Sequence, residues 1–286
     1  MWILWATTCA TLNAISSALT KRAAEEEGAM TVTFWTFAGS IPLALGTLAL
    51  TGMPPIQPGF WLALAAGVSI NIVAITLRNL GLRLAPLSLS IPLLSFTPVF
   101  LLLTEALILG DRPAPRGTAG ICIIVVGAYV LNLGDAREGP LQPLRVIWRS
   151  RGCQLMLLVA ALWSVTSVID KICVVRSSAV FYLVAFHLGF VAGYLPLLAI
   201  RQRPAGWWRP RRWRLYLLIA IVHFGAILTQ MLAIKLTLVS YVISIKRSGM
   251  LLSVLIGVFC FGERGLRQRL AGAALMAIGV TLVLTS

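Results

Sequence analysis

Two adjacent cations interrupt an apolar stretch near the end of the chain. Residues 240–261 are long and apolar enough to cross a bilayer as a helix, yet they carry Lys246 and Arg247. A charge near the membrane centre costs about 2.5–3.5 kcal/mol on an insertion scale. Arg binds a phosphate or carboxylate as a bidentate fork, and Lys acts as a point charge. The pair therefore predicts a cationic site that faces an anionic substrate.

The same helix carries further polar side chains beside this pair. At about 100° per residue, Arg247 shares a face with Ser240, Ser244 and Ser248. A polar face of this kind can line a wet cavity. Ser244 and Tyr241 are therefore predicted to contact the substrate together with the two cations.

Structural interpretations of the two cations also fit the sequence. They could extend to the membrane interface or pair with a buried acid such as Glu105 or Asp170. Glu105 lies well inside a predicted span and has three candidate roles. It could be the counter-charge for Lys246 or Arg247, a proton carrier for coupled transport, or a residue near a helix end that faces water.

Two histidines, His187 and His223, fall near the centres of predicted membrane spans. An ionisable residue inside a membrane is a functional candidate, and His223 could relay a proton in coupled transport. The structural alternative, which we favour, is a neutral histidine hydrogen-bonded between helices. Both histidines are nevertheless kept as candidate substrate contacts.

Asn13, Gln230 and Trp163 complete the candidate substrate contacts. The two amides could bind substrate or join helices through hydrogen bonds. Trp163 corresponds to Asn13 when the chain is shifted by 150 residues. It is therefore predicted to line the same cavity.

The composition indicates an integral membrane protein. Of the 286 residues, 59% are hydrophobic and 12% are charged, and the mean hydropathy is +0.91. Most of the basic residues behind the net charge of +15 lie in loops, where they would contact anionic lipid and not nucleic acid. The five cysteines are scattered, and the sequence indicates no metal or cofactor. We expect a multi-pass protein of the cell membrane, specifically a bacterial inner membrane.

Ten apolar segments predict ten transmembrane helices and an all-α fold. Because most connections are short, sequential helices are expected to pack as antiparallel neighbours. The predicted spans are 2–20, 30–51, 59–80, 86–109, 115–133, 153–174, 178–200, 213–234, 238–261 and 266–285.

The two halves of the chain repeat each other. With an offset of 152 residues, Gly110-Asp-Arg matches Gly262-Glu-Arg, and Ser88 matches Ser240. Five helices per half is an odd number, so the halves must enter the membrane in opposite directions, as transporter repeats do. We predict two inverted five-helix repeats, residues 1–134 and 153–286. A linker at 135–152, with a short interfacial helix, joins them.

Four glycines on the fifth and tenth spans indicate close helix packing. The two glycines of each span are seven residues apart, so they share one face and let a neighbouring backbone approach. This face predicts packing within the chain or a contact in a homodimer. The glycines are Gly120, Gly127, Gly272 and Gly279.

Two runs of residues, one in each half, carry a resemblance to a known family. The first is Thr97-Pro98, Glu105, Gly110-Asp-Arg and Gly120…Gly127, and the second is Phe261-Gly-Glu-Arg264 with Gly272…Gly279. They resemble the end of the EamA-type domain in its two copies. EamA-type proteins are the two-repeat, ten-helix branch of the drug/metabolite transporter superfamily. The resemblance implies this fold and a transport function, for substrates as different as amino acids, nucleotide sugars and sugar phosphates.

A narrower likeness concerns the cations. The Lys246–Arg247 pair is similar to the phosphate-binding pair on the ninth helix of triose-phosphate translocators, which implies an anionic head group as ligand. Those translocators have a third phosphate-binding Lys on the fourth helix, whereas span 86–109 holds no Lys or Arg here. A bound anion would therefore be held differently.

The loop charges and the family resemblance indicate opposite membrane orientations. Loops after odd-numbered helices hold most of the loop Lys and Arg, including the cluster at 201–214. The positive-inside rule then places both termini outside. The family resemblance implies cytoplasmic termini.

Three functions compete on these observations. The first is a secondary transporter that moves a small organic anion, foremost a phosphorylated one, by alternating access through a central cavity. The second is an exporter of neutral or zwitterionic metabolites such as amino acids, with Lys246 on a carboxylate and Arg247 salt-bridged. The third, a membrane enzyme acting on a lipid-linked substrate, is disfavoured because no nucleophile–base or metal-ligand spacing appears.

Overall fold

The computed structural model describes residues 1–85, 93–132, 150–201, 212–249 and 266–286. Within these ranges the chain is helical apart from short connections, which confirms the predicted all-α fold, and its ten helices agree with two five-helix repeats. A 3-10 turn, Leu94–Phe96, leads directly into the fourth helix. The helices are α1 (Trp2–Glu27), α2 (Ala29–Thr51), α3 (Phe60–Leu84), α4 (Thr97–Ile108), α5 (Pro115–Asn132), α6 (Arg151–Arg176), α7 (Ala179–Arg201), α8 (Trp213–Leu236), α9 (Val239–Ser248) and α10 (Leu266–Leu284).

Each predicted span corresponds to one of these helices. In the described ranges, α2, α3, α6, α7 and α8 are long and apolar enough to cross a membrane, and α4, α5 and α10 are shorter apolar helices. Helices are the expected structure here because a bilayer offers no water to satisfy backbone polar groups. The predicted interfacial helix in the linker at 135–152, most of the basic loop at 201–214, Ser88 and Gly262 lie outside the described residues.

A glycine separates the first two helices. Gly28 has φ of 83°, a left-handed conformation that residues with a side chain rarely adopt. Its N–H donates to the carbonyl oxygen of Ala24 at 3.1 Å and so satisfies one of the last acceptors of α1. The chain can then begin α2 at the next residue.

Contacts between helices divide the chain into two compact units. Unit 1 comprises residues 1–73 and 169–236, and unit 2 comprises residues 74–168 and 237–286. Each unit therefore combines helices from both sequence halves. Helices α3 and α6 contribute residues to both units.

Within each unit, helices pack chiefly against partners from the other half of the chain. In unit 1, α1 packs against α8 and α2 against α7; in unit 2, α5 packs against α10 and α4 against α9. The predicted contacts between sequential helices are also present, at α1–α2, α4–α5 and α7–α8, but they are less extensive. Small residues allow close approach where helices of the two halves cross, as where Gly225 of α8 meets Leu12 of α1 and Gly39 of α2 meets Ala220 of α8.

The closest crossing joins α5 and α10 in unit 2. A β-carbon built on Gly127 would lie 2.8 Å from the carbonyl oxygen of Gly272, and one on Gly120 would lie 2.7 Å from that of Gly279. This confirms that the glycine face admits a neighbouring backbone. The chain itself covers this face, so the alternative of a homodimer contact through these glycines is wrong. A homodimer through another surface stays a prediction.

Candidate substrate-binding site

Helix α9 carries both cations in its last turn. Residues 239–245 are buried against α4, α5 and α10 of unit 2, whereas Lys246 and Arg247 are half-buried. Apolar packing therefore fixes the first two turns of the helix. Its last turn presents the two charges.

Arg247 is held by one aromatic ring and one hydroxyl group. Its guanidinium carbon lies 5.7 Å from the centroid of the Trp163 ring, within the range of a cation–π contact. Its Nη2 donates to the hydroxyl oxygen of Thr97 at 3.2 Å. The buried Nε has no hydrogen-bond partner, and Arg247 makes no ion pair, within the part of the chain that the structure describes.

Trp163 comes from α6, and its own surroundings fix its position. It packs on an apolar cluster of unit 2 that includes Ala74, Leu94 and Met156. The structure therefore brings together two of the sequence candidates, Trp163 and Arg247, from helices that are far apart along the chain.

One cation of this region was missed by the sequence reasoning. Arg78 on α3 is half-buried and lies close enough to Arg247 for the two positive charges to repel each other. The side chain of the next residue, Asn79, has both polar atoms buried without a hydrogen-bond partner in the described ranges. The signal that could have found Arg78 is its place inside predicted span 59–80, since an arginine within a span is a functional candidate.

This arrangement favours anions. Each of the two half-buried guanidinium groups makes the charged state of the other less favourable. A bound anion offsets this free-energy cost through charge-assisted hydrogen bonds. Ser95, two residues before Thr97, has a buried hydroxyl without a hydrogen-bond partner among the described residues. A buried donor left unpaired is uncommon in a folded protein and calls for a ligand or a water.

Glu105 lies at the opposite end of α9 from Arg247. The carboxylate is fully buried and accepts the backbone N–H groups of Val239 at 2.6 Å and Ser240 at 3.0 Å. The interpretation that Glu105 faces water is therefore wrong, because tertiary packing covers this helix end. Its role as a proton carrier stays a prediction.

Tyr241 and Ser244 make other contacts than the predicted ones. The hydroxyl oxygen of Tyr241 accepts a hydrogen bond from Ser286 at 3.0 Å, and the ring lies against Gly117. Ser244 donates to the carbonyl oxygen of Ser240 in its own helix at 2.6 Å. Substrate contacts through these two residues stay predictions.

The two histidines meet in unit 1. Their ring centroids are 6.1 Å apart, and Phe37 lies 5.5 Å from His187 and 5.0 Å from His223. His187 is fully buried, and its Nδ1 donates to the carbonyl oxygen of Leu183 at 2.7 Å. That hydrogen bond lies within α7. The hydrogen bond between helices that we expected for His187 is therefore not formed by its Nδ1.

The remaining candidates also belong to unit 1. Asn13 on α1 is half-buried, and Gln230 on the neighbouring α8 is buried. Asp170, a sequence candidate for pairing with the cations, accepts a hydrogen bond from the Tyr182 hydroxyl at 2.5 Å. Substrate contact by Asn13, Gln230, His187 and His223, and proton coupling by His223, stay predictions.

Comparison with known proteins identifies the family. The sequence model of the EamA-like transporter family matches residues 1–133 and 150–285. The chain belongs to the EamA-like transporter family. This confirms the EamA-type resemblance, whereas the likeness of the Lys246–Arg247 pair to triose-phosphate translocators stays a prediction.

The EamA-like family consists of membrane transporters of the drug/metabolite superfamily, so this EamA-like chain is a multi-pass membrane protein of the transporter class. One solved structure, described as "Crystal structure of protein", is similar over 99% of this chain and 96% of its own, with a TM-score of 0.78 and 19% sequence identity. At that identity the likeness supports the fold alone. No curated protein sequence matches the chain.

Proposed function

We propose that this EamA-like protein is a secondary transporter of a small organic anion, foremost a phosphorylated one. It moves the anion by alternating access through a central cavity. The observation that carries the proposal is Arg247. Its guanidinium group has a ring, a hydroxyl and a second arginine near it, but no acidic partner among the described residues.

The charges of the site support an anion over a neutral substrate. In unit 2 the described acidic residues are Glu105 and Asp111. Glu105 is bound to backbone N–H groups at the far end of α9, and Asp111 follows α4 in a connection between helices. An anionic substrate would therefore supply the negative charge that the two arginines lack.

An exporter of neutral or zwitterionic metabolites is the second candidate. A zwitterion needs one cation for its carboxylate and uncharged partners elsewhere. The unpaired polar atoms of Asn79 and Ser95 could supply such partners. The form of this hypothesis in which Arg247 is salt-bridged finds no support among the described residues.

A thermal-stability screen separates the two candidates. A ligand at about 100 times its Kd stabilises the folded state by about 2.7 kcal/mol. The purified protein is heated with inorganic phosphate, glycerol 3-phosphate, succinate or alanine. The screen is repeated on Arg247→Gln, Lys246→Gln and a matched control, Arg214→Gln, which removes an exposed arginine that lies 5.5 Å from the ring of Trp213.

We expect the anions to raise the unfolding midpoint of the wild type and of Arg214→Gln. Both site variants should lose that shift. Stabilisation by alanine alone, with the same shift in all four proteins, would refute the anion site and favour the second candidate.

A further inference from the structure

We propose that Glu105 is a positioning residue for the substrate site. Its carboxylate anchors the start of α9 and thereby determines where Arg247 lies. The inference rests on the proposed function, because the position of Arg247 matters for binding only if Arg247 contacts the substrate.

Helix α9 has no cap of its own. Leu238, in extended conformation with φ of −64° and ψ of 139°, precedes the helix, and its side chain cannot accept a hydrogen bond. The first N–H groups of any helix lack partners within that helix, and a Ser, Thr, Asp or Asn usually satisfies them.

Glu105 supplies the missing cap from another helix. It lies on α4, 134 residues before Val239, and it accepts the N–H groups of both Val239 and Ser240. The carboxylate is fully buried, so it meets the positive end of the helix dipole without screening by water. This is a strong and directional attachment for the first turn of α9.

Both ends of α4 are bonded to α9. Glu105 binds the start of α9, and Thr97 accepts a hydrogen bond from Arg247 near its end. Glu105 lies eight positions after Thr97, and Arg247 lies eight positions after Val239. Each interval covers about 12 Å of helix. The two helices are therefore antiparallel with matched anchor points, and Glu105 sets the register in which Arg247 meets Thr97.

The connection before α9 makes this anchor important. Residue 237 is where the chain passes from unit 1 to unit 2, and α9 begins two residues later. Two residues cannot hold a helix in register by themselves. The Glu105 anchor ties α9 to α4, so that Arg247 stays with Trp163 and Thr97 of unit 2.

The test measures the affinity for inorganic phosphate by titration calorimetry, together with the unfolding midpoint. Glu105→Gln keeps one acceptor oxygen but loses the charge and the second acceptor. The matched control is Glu25→Gln, which alters an exposed glutamate of unit 1. A capping variant adds Leu238→Asp to Glu105→Gln, because an Asp at that N-cap position can accept the N–H of Ser240 from within α9 but does not attach α9 to α4.

We expect Glu105→Gln to weaken phosphate binding by about tenfold or more, since small displacements of a binding group have large effects. Adding Leu238→Asp should recover part of the unfolding midpoint but little of the lost affinity, because it caps α9 without attaching it to α4, and Glu25→Gln should bind as the wild type does. Should Glu105→Gln not fold, Glu105→Asp, whose carboxylate is one methylene further from α9, takes its place with an intermediate loss.

Three results would overturn the inference while the proposed function stands. The first is a lower unfolding midpoint of Glu105→Gln with unchanged phosphate affinity, which would show that Glu105 contributes to stability alone. The second is full recovery of the affinity on adding Leu238→Asp, which would show that Glu105 only caps α9 and does not fix its position against α4. The third is unchanged affinity with loss of proton-driven uptake, which would make Glu105 a proton carrier. If the wild type binds neither phosphate nor another anion of the screen, the proposed function fails and the inference falls with it.

Discussion

At the scale of single residues, the site depends on how Arg247 is held. A guanidinium group that rests on Trp163 and bonds to Thr97 is oriented before any ligand arrives. Such preorganisation lowers the entropy lost on binding. The Trp163 ring also replaces part of the hydration that a half-buried cation would otherwise lose.

Removing the ring should weaken anion binding without removing the charge. Trp163→Leu is expected to lower the phosphate affinity by about 2- to 30-fold, the equivalent of a cation–π contact of about 0.5–2 kcal/mol. The matched control is Trp213→Leu, which removes an exposed ring beside Arg214. Equal affinity of Trp163→Leu and the wild type in calorimetry would show that the ring does not orient Arg247.

Sequence reasoning could find residues of this site but not all their partners. Trp163 was predicted because the repeat aligns it with Asn13, and Arg247 because a charge in a span is costly. The partner of Glu105 was missed, since Val239 and Ser240 are tied to it through backbone N–H groups, which carry no sequence signal. Arg78 was missed because it lies near the predicted end of a span, where arginines are common, whereas α3 continues to Leu84.

At the scale of helices, the glycine crossing of α5 and α10 supports the packing of unit 2. The backbones approach so closely that no side chain fits between them at Gly120, Gly127, Gly272 or Gly279. The spacing of seven residues made this packing predictable. The identity of the partner helix was not predictable, because the same spacing also suits a second copy of the chain.

Adding a single methyl group at this crossing should destabilise the protein. Gly127→Ala places a β-carbon 2.7 Å from Met276 and 2.8 Å from the Gly272 backbone, and overpacking of this kind costs about 1–3 kcal/mol. The matched control is Gly46→Ala in α2, where a β-carbon meets nothing within 4 Å. It should be neutral or stabilising by up to about 1 kcal/mol. Thermal unfolding of the two variants in the same detergent checks this, and equal midpoints would contradict the crossing.

At the scale of the whole chain, sequence repeats and packing units do not coincide. The ten helices and their two repeats follow from apolar lengths and from motifs such as Gly110-Asp-Arg. The units follow from pairings across the halves, such as α1 with α8 and α5 with α10. Such pairings join residues more than a hundred positions apart, and a periodic apolar pattern does not specify them.

The transport proposal also belongs to this scale. Each unit carries its own set of candidates: the cations with Trp163 in unit 2, and the two histidines in unit 1. We propose that the anion binds the cations of unit 2 and is exposed alternately to each side of the membrane. The result of an exchange assay does not depend on the direction of net transport, the coupling ion or the membrane orientation. Exchange is therefore the most direct test.

The decisive measurement is anion exchange in proteoliposomes. Vesicles loaded with unlabelled phosphate, glycerol 3-phosphate or succinate are supplied outside with the same labelled compound, for the wild type, Arg247→Gln and Arg214→Gln. We predict rapid exchange of at least one of these anions by the wild type and Arg214→Gln, and exchange at the level of empty vesicles for Arg247→Gln. Equal exchange by Arg247→Gln and the wild type, or no exchange of any of the three anions by the wild type, would contradict an anion transporter built on Arg247.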